Sequence, residues 1–132
     1  MNCPVCKHEP MVVLELNGVE IDYCFKCRGI WLDQGELELL LEGSENHQEV
    51  ISSFTVDENN KEKKRRCPIC SKHMQKVYSD NNKVLIDRCS KRHGLWFDGG
   101  ELRQIIASTR FDKENRVLNI LDEMFQAETK RI

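Results

Sequence analysis

A chain of 132 residues that is 39% hydrophobic and 32% charged has material for one ordinary domain or two small ones, and little for a large apolar core. Its net charge of −2 is not the profile of a strong general nucleic-acid binder. No apolar run approaches the roughly 18 residues that a membrane-crossing helix needs. All seven cysteines fall within residues 1–43 and 67–107, and an odd number leaves a pure disulfide framework unbalanced. The opening Met1-Asn2-Cys3-Pro4 has neither the charged nor the apolar region of an export leader, so the expected compartment is the cytoplasm. Thiols stay reduced there, and paired cysteines favour metal over disulfides.

The first unit, residues 1–43, begins with Cys3-Pro4-Val5-Cys6. The alternating stretches Met11 to Leu16 and Val19 to Tyr23 flank Asn17-Gly18, a strong signal for a type I′ hairpin. Cys24-Phe25-Lys26-Cys27 follows, then Gly29-Ile30-Trp31-Leu32-Asp33-Gln34-Gly35-Glu36-Leu37. Asp33 and Glu36 have the spacing of a capping box, in which each side chain accepts the other's amide. Leu37, Leu40 and Leu41 continue at helical spacing. Gly29 is expected to supply a positive-φ turn beside the cysteines. Trp31 is expected in the core, covering the cysteine loops, with an exposed stacking surface as the alternative.

Residues 44–66 are a polar linker with a short helix expected through His47 to Phe54 and a flexible stretch over Asp57 to Lys64. The run Lys61-Glu62-Lys63-Lys64-Arg65-Arg66 is expected to be solvated, phosphate contact being the sharper alternative. A second unit, residues 67–107, repeats the first: Cys67-Pro68-Ile69-Cys70, two strands around a longer loop at Ser79 to Lys83, Cys89, and Gly94-Leu95-Trp96-Phe97-Asp98-Gly99-Gly100-Glu101-Leu102. Ile105 and Ile106 complete its helical face. Residues 108–132 contain an amphipathic stretch in which Val117, Leu118, Leu121, Met124 and Phe125 share one face. A C-terminal helix there would pack on the rest of the chain or form a homodimer.

Two thiol pairs separated by fewer than twenty residues are the sequence form of a structural zinc site. Cys3, Cys6, Cys24 and Cys27 make an all-thiolate set with no open position for water or substrate. In the second unit Cys67, Cys70 and Cys89 match, but Arg92 stands opposite Cys27. His93, one residue later and longer in reach, is expected to complete the site, with His73 as the competitor. His8 and His47 have no partner at ligand spacing and are expected at the surface. Two zinc ions are therefore expected as folding elements.

The pattern Cys-Pro-x-Cys, hairpin, Cys-x-x-Cys-x-Gly-Ile-Trp-Leu-Asp-x-Gly-Glu-Leu resembles the transcription factor IIB-type zinc-ribbon domains, in two tandem copies. The resemblance implies a small α+β metal-stabilised fold, with a β-hairpin and a short helix in each ribbon, and a binding role. Residues 1–43 carry three bases against eight acids and net −5, while residues 67–107 carry seven bases against four acids and net +3. A non-enzymatic module that binds a macromolecule, in a transcription-related role, is the favoured expectation. The acidic unit suits a protein partner. Lys72, Lys76, Lys83, Lys91 and Arg92 form the expected nucleic-acid face of the basic one. No membrane association is expected. The alternative is a thiol-redox or zinc-sensing protein.

Overall fold

Asn17 and Gly18 both take positive φ, at 51° and 84°, as a type I′ turn requires. That turn joins β1 (Val12–Leu16) to β2 (Val19–Tyr23) with Leu16 opposite Val19. In the computed structural model, which describes residues 1–42, 47–79, 84–107 and 120–121, each unit then adds a strand that the hairpin-plus-helix expectation lacks. In the first it is β3 (Ile30–Asp33), followed by α1 (Glu36–Leu41). The linker contributes α2 (His47–Ser52) and β4 (Thr55–Val56). The second unit supplies β5 (Gln75–Tyr78), β6 (Leu85–Arg88), β7 (Gly94–Phe97) and α3 (Glu101–Ala107). The expected C-terminal helix and homodimer contact lie outside the described residues, apart from helical Ile120 and Leu121, the latter buried.

The two units are not separate beads. Their strands form one antiparallel seven-stranded sheet in the order β1-β2-β3-β7-β6-β5-β4. At its centre Ile30 pairs with Phe97, Trp31 with Trp96, Leu32 with Leu95 and Asp33 with Gly94. Trp31 thus faces its own equivalent, which places a local two-fold axis through that pair. Strand alternation then sorts the side chains onto two faces. Ile30, Leu32, Phe97 and Ile86 join Leu37, Leu40, Leu41, Leu102, Ile105 and Ile106 of the helices in one core. Trp31 and Trp96 enter the other, with Met11, Met74 and four cysteines.

Both tryptophans are 0% exposed, which settles them as core rather than stacking surface. They also explain the glycines. A Cβ on Gly29 would overlap Cζ2 and Cη2 of Trp96, and one on Gly94 would overlap the Leu32 carbonyl and lie 2.7 Å from Trp31 Cζ2. Each indole therefore rests on the glycine of the opposite unit. Gly29 does not supply the positive φ expected of it; Arg28, at φ 66°, does.

The linker is not merely flexible. β4 pairs with β5, the Asp57 amide donates to the Lys76 carbonyl at 2.8 Å, and Glu62 lies 3.6 Å from Lys76 Nζ. Beneath it Lys76 Nζ meets Asp87 Oδ1 at 2.8 Å, both side chains nearly out of solvent. Lys76 therefore leaves the expected nucleic-acid face, and Lys83 lies outside the described residues.

Half of each capping box forms. Glu36 Oε1 accepts the Asp33 amide at 2.6 Å, and Glu101 Oε1 the Asp98 amide at 2.7 Å. The aspartates instead accept the indole N–H of their own tryptophans, Trp31 to Asp33 at 2.8 Å and Trp96 to Asp98 at 3.1 Å. α1 begins after Gly35, at φ 91°. Burial pushes the Glu101 carboxyl up to about 8; Asp98 and Asp87 reinforce the shift, while the Asp98 amide and Lys76 oppose it.

Two outcomes follow from this packing. Gly29→Ala or Gly94→Ala should destabilise the fold by about 1–3 kcal/mol or more in denaturant titration, because the opposing ring or carbonyl must move. The folded Glu101 binds its proton more tightly than the unfolded one, so its stabilising contribution is full below about 4.5 and lost as pH rises through about 8. Glu101→Gln keeps an acceptor and cannot ionise. Its stability advantage over the parent should grow from about pH 4.5 to 8, by up to about 1.4 kcal/mol per pH unit, then level off. A gap independent of pH would contradict this assignment.

Candidate metal centre

Each first cysteine pair sits on a tight loop whose geometry the backbone reports directly. Lys7 and Ser71, immediately after Cys6 and Cys70, take φ of 63° and 64°. The Lys7 amide closes on the Cys3 carbonyl and the Ser71 amide on the Cys67 carbonyl, each at 2.8 Å. This folding turns amides toward sulfur. Val5 and Cys6 donate to Cys3 Sγ, and Ile69 donates to Cys67 Sγ, all at 3.4 Å.

The second ligand pairs differ between units in an informative way. In the first, the Arg28 amide closes on the Cys24 carbonyl at 2.8 Å, which leaves Cys27 inside the loop and Arg28 in the left-handed region. In the second, Arg92 itself turns left-handed at φ 63°, and its amide reaches Cys89 at 3.0 Å, one residue shorter. The turn comes one residue early, so the next side chain, His93, points inward. Both loops end alike, with the Cys24 amide on the Gly29 carbonyl and the Cys89 amide on the Gly94 carbonyl.

The structure thus brings together every expected donor: Cys3, Cys6, Cys24 and Cys27 in one group, and Cys67, Cys70, Cys89 and His93 in the other, with all donor atoms of a group within 4.8 Å of one another. Four sulfurs about 2.3 Å from a tetrahedral zinc ion lie about 3.8 Å apart, and a nitrogen replaces one at about 3.6 Å from the others. The separations match. Cys3–Cys27 is 3.6 Å, Cys6–Cys24 is 3.8 Å and Cys70–Cys89 is 3.7 Å. His93 Nδ1 lies 3.5 Å from Cys89 Sγ and 3.8 Å from Cys67 Sγ. His73 does not join the group; it is exposed and bridges to Arg66 across the base of its loop. His8 is exposed as expected, whereas the side chain of His47 lies outside the described residues.

Clustered sulfurs in this setting call for a cation. Burial pushes the thiols of Cys3 and Cys67 up to about 11 and Cys27 higher still, so thiolate forms poorly there without positive charge. Burial also acts on Cys24, but the amides of Cys27 and Lys26 outweigh it and lower that thiol. The Lys72 amide lowers Cys70 to about 6. Amides and a metal ion stabilise the same charged form. The donor types, spacing and loops therefore fit two zinc ions.

Both groups border one apolar cluster with the two indoles, and their first loops face each other. Between them opens a cleft of about 600 Å³ lined by Lys7, Lys63, Lys64, Arg65, Arg66 and His73, together with Cys3, Pro4, Cys67 and Pro68. This basic surface is not the face expected from the second unit alone. It joins the linker run to Lys7 of the acidic unit, a neighbourhood that only the central strand pairing creates.

Among the described residues, no helix is long and apolar enough to cross a membrane. No curated protein and no solved structure matches the chain. A family model described as a transcription factor zinc-finger matches it twice, over residues 2–43 and 66–108. Those segments span most of the chain and contain both donor groups, so the chain belongs to the transcription factor zinc-finger family and carries two tandem copies of its domain.

Proposed function

We propose that the chain is a non-enzymatic zinc-ribbon module whose two metal centres build a surface for a macromolecular partner. Cys3, Cys6, Cys24 and Cys27 would hold one zinc ion; Cys67, Cys70, Cys89 and His93, through Nδ1, would hold the other. The observation that carries this reading is the closure of both donor sets. Four donors at tetrahedral separations leave no coordination position for water or substrate. The acids that invite a catalytic interpretation already have structural work: Glu36 and Glu101 accept backbone amides, and Asp33 and Asp98 accept indoles.

Zinc bound in these sets supplies charge neutralisation and cross-linking, not chemistry on a substrate. The residues then provide the binding surfaces. The cleft between the two loops brings Lys7, Lys63, Lys64, Arg65 and Arg66 to one place, which favours phosphate groups of a nucleic acid. Exposed Lys72, Lys91 and Arg92 remain on the second ribbon. A transcription-related role rests on this surface and on the family.

Elemental analysis should find two zinc ions per chain. Chelation should abolish the near-ultraviolet dichroism of both tryptophans, since each metal centre borders their cluster. His93→Cys should retain the second zinc, whereas His93→Ala should lower its affinity and His73→Ala should leave it unchanged. Sub-stoichiometric zinc released reversibly by mild oxidant, with the fold intact, would instead favour the thiol-redox alternative.

Single-stranded oligonucleotide should bind at low salt, and replacing Lys63, Lys64 and Arg66 by glutamine should weaken it and flatten the dependence of log K on log salt. Binding unchanged by those substitutions, or absent even at low salt, would remove the nucleic-acid reading while leaving the zinc centres untouched.

A further inference from the structure

The two ribbons share a scaffold but differ at their outer edges. In the second ribbon the outer edge of β5 is covered: Thr55 pairs with Tyr78, Val56 with Val77, and the Asp57 amide bonds the Lys76 carbonyl. In the first ribbon the equivalent strand is β1, with Glu15, Leu14 and Val13 in the places of Tyr78, Val77 and Lys76. Among the described residues, β1 ends the sheet; just before it Asn2 bridges Pro10 and the Met11 amide donates to the Met1 carbonyl, and beyond that point no strand pairs with its outer side.

The register identifies which groups are left facing outward. Leu16 and Val19 flank a two-residue turn and so form a hydrogen-bonded pair, after which bonded and non-bonded pairs alternate along the ladder. Val13 and Glu15 occupy the non-bonded places and direct their N–H and C=O groups away from β2. The second ribbon follows the same rule, since the Lys76 carbonyl, equivalent to that of Val13, is the one that receives the linker.

The side chains around this edge have one sign. Val13 and Glu15 lie on the same sheet face as Glu20, Asp22 and Asp33, as alternation and the pairings of Val13 with Asp22 and Glu15 with Glu20 require. Lys76 neutralises the equivalent face of the second ribbon, where it meets Asp87. The first ribbon has Val13 there, 61% exposed beside exposed Val12. Burial raises the Asp22 and Glu36 carboxyls; neighbouring acids, Asp33 among them, add to both shifts, while the Met1 ammonium opposes the first and the Asp33 amide the second. On the opposite face Leu14 is half-buried against the main core, as Val56 is in the second ribbon, where Val77, the equivalent of Leu14, is fully buried.

We propose that the outer edge of β1 is a docking site for an extended, basic segment of a partner protein, which adds as an antiparallel strand with an apolar residue opposite Leu14 and lysine or arginine opposite Val13 and Glu15. The molecule itself supplies the precedent, because β4 and the residues after it do the same to β5. Charge selects a basic partner. It also disfavours a second copy joined edge to edge, since that contact would bring two acidic faces together. The site rests on the macromolecule-binding reading but uses a different surface from the basic cleft, so the two fail independently.

The test uses the full zinc-loaded chain and a short peptide of alternating lysine and valine, with a glutamate–valine peptide as control. The basic peptide should bind with salt-sensitive affinity and slow amide exchange at Val13 and Glu15. Val13→Pro removes an outward N–H without breaking a bond to β2, and should weaken binding roughly tenfold. Glu15→Lys should weaken it without altering zinc content or tryptophan dichroism, and serves if the proline variant does not fold.

Equal binding of both peptides, or binding unaffected by Glu15→Lys, would overturn the proposal. So would protection of the Val13 and Glu15 amides in the free chain, whether from the chain's own segment or from a dimer. Peptide binding lost here with oligonucleotide binding intact would discard this site and leave the module reading standing. Loss of zinc from the parent chain would discard the module reading itself.

Discussion

The antiparallel pairing of β3 with β7, locked by two indoles that each lie on the other ribbon's glycine, is the contact on which the rest of the molecule depends. Neither ribbon has enough apolar side chains to make a core alone, and about forty residues seldom suffice. Joining the third strands solves this on both faces. One face collects the helices and aliphatic strand residues of both ribbons, and the other places Trp31 and Trp96 between the two donor groups. The arrangement is that of a two-fold symmetric dimer written into one chain. It also removes two sheet edges that separate ribbons would expose.

A scaffold made symmetric by its centre can diverge toward its ends. The residues that meet at the axis are matched: glycine, tryptophan and the aspartate that accepts the indole. Away from it the copies part. Advancing a left-handed turn by one residue, from Arg28 to Arg92, exchanges a cysteine donor for His93 without altering how the loop closes on Gly29 or Gly94. Replacing Val13 by Lys76 converts an open acidic face into a buried ion pair beneath the linker. Both differences leave the central pairing unchanged.

Much of the site is legible in the sequence, and the reason is local chemistry. Cysteine spacing identifies donors, Asn17-Gly18 identifies a hairpin, and the aliphatic spacing in α1 and α3 identifies their buried faces. Apart from the capping boxes, whose aspartates accept the indole two residues back, the misses are matters of distance along the chain. Ile30–Asp33 and Gly94–Phe97 are each four residues long, and their decisive partner lies in the other repeat, so no local period marks them as strands. For the same reason Gly29 resembles a turn residue, when its neighbour across the sheet is what forbids a side chain. Lys76 looks like a surface charge because the segment that covers it belongs to the linker. In the sequence, register beside the position of Cys27 and a longer reach favour His93 over His73; the backbone supplies the deeper reason, since the turn at Arg92 directs the imidazole inward.

Metal loading alters the charge around the cleft more than any single side chain does. Four thiolates around one dication leave two negative charges, and three thiolates with a neutral imidazole leave one. Cys3 and Cys67 line the same cleft as Lys7, Lys63, Lys64, Arg65 and Arg66, so the negative charge of loaded centres would offset part of that basic run. Burial raises the Asp87 carboxyl overall, and Lys76 with a smaller contribution from Arg65 opposes that shift. The net positive charge of the cleft would therefore be the excess of cations over metal-thiolate charge, smaller than a count of lysines and arginines suggests. The chain's formal charge of −2 counts only its lysines, arginines, aspartates and glutamates, yet its two metal loops face each other across a basic surface. Charge is distributed here by the folding of the linker onto the ribbons, and the strand pairing at the centre decides where that linker lies.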